Sequence, residues 1–259
     1  MVPQGTLVNV PASFSGGHIH SQLRDDAILE HVSAGRLVVL KNAFPESAMH
    51  AIRTGLLEFT KTHPSTNPEV KPGVGHFRRV DINPERSQVK RIVQSFYSFY
   101  WGERDISGER PFLLALAGLR NRLAGLREDY AFHGVEDDHL SVPQITHYPV
   151  GGGYLQPHVD PPSIQKVVVT AILSRRGVDY ESGGLHIEDE AGSSRHMVDD
   201  ALEPGDVYLM NPAVRHGVAP IDPDKTLNFD SSSGRWMMFS TLIPYASLSG
   251  GATPGLKAY

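Results

Sequence analysis

The 259-residue sequence predicts a mainly β protein, a jelly roll or similar double-sheet barrel, braced by helices from its N-terminal half. Two observations carry this. From about residue 140 the chain is a succession of short runs rich in β-branched and aromatic residues, separated by clusters of Gly, Pro, Asp and Ser. Before that point, apolar residues recur at the three-and-four spacing of amphipathic helices. Barrels and sandwiches of this length occur as single units, so one domain over 1–259 is expected: mixed helical support over 1–140, a β core over 141–245 and a tail over 246–259.

The elements follow in order. Asp25 to Ala34 reads as a short helix feeding a strand from Arg36 to Leu40, and Pro45-Glu46 opens a helix with Met49, Ile52, Leu56 and Phe59 on one face. Val89, Ile92, Val93, Phe96, Tyr97 and Tyr100 fit a third helix, its aromatic face assigned to core. Pro111 begins a fourth through Leu113, Leu116, Leu123 and Leu126. Strands are predicted near 141–148, 154–159, 165–173, 184–188, 195–198, 206–210, 214–218 and 235–243. Eight short strands within about a hundred residues are what suggests the jelly roll. Asn67 to Gly75 and Ile221 to Gly234 read as loops, and no internal repeat is present.

Composition removes several function classes. A formal net charge of -5 argues against bulk nucleic-acid binding, and no run reaches transmembrane length. The absence of cysteine excludes disulfides and thiolate metal sites, leaving nitrogen and oxygen as metal ligands. Met1 to Thr6 lacks a basic, apolar leader pattern, so a cytoplasmic protein is expected.

The chemistry centres on Gln156-Pro157-His158-Val159-Asp160. Residues i and i+2 of a strand share a face, so His158 and Asp160 aim an imidazole and a carboxylate the same way, half a metal site. A His-x-Asp triplet is by itself common, and a strand histidine is usually a satisfied core or surface residue. His216, in a strand after the turn Glu203-Pro204-Gly205-Asp206, could add a third ligand. Two histidines and a carboxylate leave one metal face open, which suits non-heme Fe(II). Arg235, in Gly234-Arg235-Trp236-Met237, would need an anion if it faces inward, and a carboxylate is the expected bidentate partner.

Taken together, His158-x-Asp160, a distal His216 in His-Gly-Val-x-Pro and Arg235 on the last core strand resemble the Fe(II)/2-oxoglutarate-dependent dioxygenase superfamily over residues 140 to 245. Gly183-Gly184-Leu185-His186-Ile187 resembles a segment between the ligand strands of its prolyl-hydroxylase-like branches. The resemblance implies a double-stranded β-helix of cupin-like type, with Fe(II) on His158, Asp160 and His216. It implies Arg235 on the distal carboxylate of the co-substrate 2-oxoglutarate, and O2 as oxidant. The implied reaction hydroxylates an unactivated C–H and releases succinate and CO2. Related halogenases lack the carboxylate that stands here as Asp160, so hydroxylation is favoured over halogenation.

Two departures from that pattern matter. Many members carry Ser or Thr two residues after the arginine, where this chain has Met237, so Tyr148, Thr170 and Gln144 become candidates for the remaining co-substrate contacts. Gln144, Thr146 and Tyr148 alternate onto one face, which suits a polar cavity, or solvent. The interval from His216 to Arg235 is long, making Arg215 a rival, although its neighbour His216 should turn it to the opposite face.

For the substrate, Arg78 or Arg79 in Gly75-His76-Phe77-Arg78-Arg79-Val80-Asp81 could clamp an anion, against a plain solvated pair, and His186 could approach the cavity. His18 and His20 are assigned to a loop or edge strand, and His147 to packing or surface. A small-molecule substrate, amino-acid-like or a specialised metabolite, is expected, with no nucleic-acid or membrane partner; oligomeric state is not encoded legibly. The alternatives are a cupin-like protein that binds a metal or small acid without turnover, or an iron oxygenase that does not use 2-oxoglutarate.

Overall fold

Alternation along the strands sorts their side chains into two cores. In a computed structural model, which describes residues 7–83, 89–160, 164–188 and 194–248, Val38 and Leu40 pack with Val207, Leu209, Val169 and Ala171 in one buried cluster. Their sequence neighbours Leu37, Val39, Tyr208, Met210 and Ile172 join another. The first cluster lies between a sheet and the helices; the second fills the space between two sheets.

The chain runs β1 (Leu7–Ser15), β2 (His18–Ser21), α1 (Asp25–Ser33), β3 (Leu37–Lys41), α2 (Glu46–Thr62), β4 (Phe77–Asp81), β5 (Arg91–Tyr97) and α3 (Arg110–Ala124). Then follow β6 (His139–Pro149), β7 (Gly153–His158), β8 (Val168–Ile172), β9 (Gly184–Glu188), β10 (Arg195–Met197), β11 (Val207–Met210), β12 (His216–Ile221) and β13 (Gly234–Pro244). All eight strands expected after residue 140 are present, with shifted ends: β8 starts at Val168 rather than 165, and β12 runs on to Ile221. They form two facing sheets, β6-β13-β8-β11 and β7-β12-β9-β10, as a jelly roll requires.

The N-terminal half is less helical than predicted. The helix expected over Val89 to Tyr100 is instead β5, whose edges pair with β6 and β7 and so join the two sheets. Its apolar residues satisfy a period of 3.6 locally, yet Arg91, Val93 and Ser95 line one side while Ile92, Gln94 and Phe96 turn to the other. Among the described residues five strands precede α3; β1 pairs in parallel with β3, and β2, carrying His18 and His20, is an edge strand, one of the two placements expected for them.

The three remaining helices form as expected. Asp25 and Asp26 complement the dipole at the start of α1, Pro45 precedes α2, and Pro111 stands in the first turn of α3, which closes on Gly125 at φ 81°. Their buried residues, Ile28, Met49, Ile52, Leu113 and Leu116 among them, cover the outer face of the larger sheet. Asn67 to Gly75 contains no helix or strand, and the loop between β12 and β13 links them as predicted. The expected tail lies outside the described residues from 249 onward.

Candidate metal centre and cavity

His158 ends β7 and His216 begins β12, and the two are direct partners in the antiparallel pairing of those strands. Asp160 follows two residues later, its N–H donating to the Pro212 carbonyl (3.1 Å) in the turn before His216. One ligand atom from each of the three lies within 4.8 Å of the others, the one such group among the described residues. The imidazole centroids are 4.5 Å apart. Gly217 keeps the strands close: a Cβ there would stand 2.9 Å from the Leu155 carbonyl oxygen.

Both imidazoles are oriented from behind. Nδ1 of His158 lies 3.0 Å from the Gln156 carbonyl and Nδ1 of His216 2.9 Å from that of Val214, so each donates there and turns Nε2 inward, that of His158 to 3.3 Å from Asp160 Oδ1. Burial holds His216 below its usual pKa of 6.5 despite the pull of Asp160. Burial would raise the Asp160 carboxyl, but the hydrogen bond from His158 and the charge of both imidazoles outweigh it and keep it below its ordinary range. Neutral imidazole and ionised carboxylate are the ligating forms.

A cavity of about 260 Å³ opens beside these groups between the sheets. Gln144, Thr146 and Tyr148 all face it from β6, joined by Thr170, Tyr208 and Met237. Gln144 donates to Ser95 Oγ (3.0 Å) and Thr146 Oγ1 (2.7 Å), so this face is the polar cavity wall rather than a solvent face.

Arg235 points inward as expected but is already partnered. It is fully buried, and Asp199 accepts from its Nε (2.7 Å) and Nη2 (3.1 Å). Nη1 faces the Met237 sulfur at 3.1 Å, and Met237 lines the cavity; the guanidinium carbon stands 5.8 Å from the Tyr148 ring centroid. Burial alone would lower the Arg235 pKa, but Asp199 outweighs it and holds the guanidinium above its ordinary value. Asp199 also accepts from Tyr180 Oη (2.6 Å) and the Leu185 N–H (2.8 Å). Gly184, at φ 116°, makes room: a Cβ there would lie 2.3 Å from Asp199 Oδ2.

The other candidates separate. Arg215, the rival to Arg235, turns to the outer face of the smaller sheet and donates to Glu188 (2.8 Å). Alternation in β9 sends Leu185 into the cavity and His186 to the opposite face, where it is buried 3.5 Å from Glu188. Arg78 faces away as well and donates to Gln94 Oε1 (2.6 Å). Arg79 faces the cavity side, opposite Ser95 in the register. His147 is buried, stacked 4.0 Å from the Trp236 ring. Three residues of the site escaped the sequence: Asp199, Tyr208 and Arg91. Tyr208 and Arg91 sit on strands, where period-two alternation is the signal that could have found them, but the segment of Arg91 reads as a helix; Asp199, in a single turn of 3-10 helix, carried none.

No protein-family model matches the sequence, and no curated protein matches it. Solved structures do. A prolyl hydroxylase from Trichoplax adhaerens, in complex with a hypoxia inducible factor oxygen degradation domain peptide fragment, is 12% identical with a TM-score of 0.52, over 88% of this chain and 93% of that one. The dioxygenase for auxin oxidation 1 from Arabidopsis thaliana, in complex with 2-oxoglutarate, is 14% identical with a TM-score of 0.51, over 92% of each chain. At these identities the likeness is one of fold, and it extends through the N-terminal half as well as the eight core strands: the chain has the jelly-roll fold of the 2-oxoglutarate–Fe(II) oxygenases.

Proposed function

We propose that this chain is an Fe(II)- and 2-oxoglutarate-dependent oxygenase, one domain over 1–259, that hydroxylates an unactivated C–H of a small molecule. The observation that carries the proposal is the convergence of His158, Asp160 and His216 at the cavity, with one ligand atom from each within 4.8 Å of the others and His158 Nε2 3.3 Å from Asp160 Oδ1. Two imidazoles and one carboxylate on one side of a metal form the donor set of a non-heme iron site with open positions. Such an iron, when bound with 2-oxoglutarate, supplies the oxidising power for C–H hydroxylation from O2.

The residues present fit both groups. His158, Asp160 and His216 would hold the metal. Arg235 Nη1, with Tyr148, Thr170 and Tyr208 around it, would take the distal carboxylate of 2-oxoglutarate, Met237 standing where a hydroxyl is usual in the family it resembles. Gln144 lies further along the same wall. The protein's own work is to orient these partners and to limit water in a space of about 260 Å³, which suits a small substrate. The net charge of -5 and the absence of a helix long and apolar enough to cross a membrane among the described residues fit this role, for which we propose the cytoplasm.

One observation favours a second reading, an iron oxygenase that uses another co-substrate: Asp199 already neutralises Arg235. Titration of the protein with Fe(II) and 2-oxoglutarate, followed by a succinate assay with candidate substrates, tests both. Fe(II) binding that His158→Ala or Asp160→Ala abolishes, with folded variants and succinate release by the wild type, is expected. Iron binding without any affinity for 2-oxoglutarate would select the second reading, and unaltered iron binding in both variants would sink the metal assignment.

A further inference from the structure

β4 and β5 carry a second set of charges beside the cavity. Register sets Arg79 opposite Ser95 and Asp81 opposite Val93, and directly opposed residues of an antiparallel pair face the same side. Ser95, Val93 and Arg91 line the cavity, so Arg79 and Asp81 face that side from the neighbouring strand. Asp81 accepts from Arg79 Nε at Oδ1 (2.9 Å) and also from Arg79 Nη2, and at Oδ2 from Arg91 Nε (3.0 Å) and Nη2 (2.9 Å). Among the described residues two guanidiniums thus share one carboxylate, an excess of one positive charge.

That excess has a direction. Arg91 lines the cavity, whereas Arg79, 5% exposed and with its Nη1 buried, holds Asp81 from the neighbouring strand. With Asp81 shared in this way, the Arg91 guanidinium keeps positive charge for the cavity, and a carboxylate is its best partner. The surface between this cluster and the histidines is apolar: Val89, Val93, Leu155 and Val218 line it. Arg91 pairs with Leu155, which pairs with Val218, two residues beyond His216. Two strand spacings and one two-residue step put the Arg91 and His216 backbones ~12 Å apart.

We propose that Arg91, with Arg79 sharing its counter-charge Asp81, forms a substrate anion clamp, and that the substrate is a small aliphatic carboxylic acid whose carboxylate pairs with Arg91 while its hydrocarbon chain lies along Val93, Leu155 and Val218 toward His158, Asp160 and His216. This rests on the oxygenase reading above and names the substrate class for that site. It also separates the adjacent arginines: Arg79 serves the cavity, whereas Arg78 holds Gln94 on the other face.

The test is calorimetric titration of the metal-free full-length protein with straight-chain monocarboxylates of four to eight carbons and with the matching amides. Saturable binding of at least one acid is expected, with its amide at least tenfold weaker. Arg79→Gln, which leaves Asp81 to neutralise Arg91 alone, and Arg91→Gln should each weaken acid binding at least tenfold, Arg91→Lys should restore part of it, and Arg78→Gln, on the other face, should leave it unchanged. Melting curves establish that the variants fold; should Arg79→Gln not fold, the Arg91 pair decides. Equal binding of acid and amide, wild-type affinity in the Arg91→Gln protein, an equal loss in Arg78→Gln, or no binding by any acid would each overturn the clamp. Because iron is absent, the two proposals fail separately. Clamp-dependent binding without 2-oxoglutarate turnover removes the oxygenase reading alone, and turnover with no acid bound removes the clamp alone.

Discussion

Substituting Asp199 with Asn removes one charge from a buried pair and leaves the other. Arg235 and Asp199 are 0% and 3% exposed, and Asp199 accepts four hydrogen bonds, two of them from Arg235. Breaking a buried pair by removing one partner costs ~3–5 kcal/mol, because the remaining charge stays desolvated. For a chain of this size that lowers the melting temperature by roughly 6–12 °C. Burial raises the Asp199 carboxyl, but Arg235 and the hydrogen bonds outweigh it, so its folded pKa lies below the ordinary 3.8. A depressed folded pKa gives stability that is complete above the unfolded value and lost as pH falls through the folded one. The gap between wild type and Asp199→Asn should therefore stay constant from pH 8 to about 5 and close below about 4. The same variant frees Arg235 from its counter-charge, so 2-oxoglutarate should raise the melting temperature of Asp199→Asn more than that of the wild type. Thermal unfolding followed by circular dichroism, with and without 2-oxoglutarate, reads both effects. A melting temperature within 1 °C of wild type would refute the charge assignment, and equal ligand shifts in the two proteins would falsify the role of Arg235 in co-substrate binding.

Three further outcomes are expected. Gly184→Ala drives a Cβ to 2.3 Å from Asp199 Oδ2 at φ 116°, so it should destabilise the protein by ~2–4 kcal/mol in urea unfolding; an unchanged midpoint would show that the ion pair tolerates displacement. Burial holds His147 neutral, with a pKa of about 3 against 6.5 unfolded, so its contribution is complete above pH 6.5 and is lost as pH falls toward 3, on the order of 4–5 kcal/mol in all. His147→Gln should flatten that part of the stability profile, and an unaltered slope would assign it elsewhere. Arg78→Gln breaks the chain from Arg78 through Gln94 to the Phe229 carbonyl and should cost ~1–2 kcal/mol of stability without changing acid binding, which a titration alongside Arg79→Gln checks.

The β core was legible because its short β-branched and aromatic runs are bounded by clusters of Gly, Pro, Asp and Ser, even where both faces are buried, as in β8 and β11. The metal group was legible because His158, Asp160 and His216 stand at strand ends where the neighbouring turns are also visible in sequence. The region before residue 140 was less legible. Ile92, Val93, Phe96 and Tyr97 fit a helical face and a strand equally well, because both faces of β5 are buried and apolar residues occupy both. That one misassignment concealed Arg91, since a helix would have placed it away from Val93 and Ser95. Asp199 was illegible for a different reason. Its partner Arg235 is 36 residues away in sequence, and no local pattern announces a carboxylate that a glycine at 184 makes room for. Arg78 and Arg79 were recognised as a pair, but only pairing with β5 decides which of two adjacent strand residues faces inward.

The two arginine sites differ in how completely each is neutralised, and this difference orders the cavity. At the closed end Arg235 and Asp199 balance one to one, so a carboxylate docking there gains hydrogen bonds from Nη1 and from the hydroxyls of Thr170, Tyr148 and Tyr208, with little net Coulomb attraction. At the other end Arg79 and Arg91 outnumber Asp81 two to one and retain an unpartnered buried N–H. An anion that must choose by charge alone is drawn to the second site; one that can use several hydroxyl donors and a metal at once is drawn to the first. A dianionic 2-oxo acid meets the latter description, and an aliphatic monocarboxylate the former. Under the two proposals, unequal neutralisation therefore keeps co-substrate and substrate acid from exchanging places.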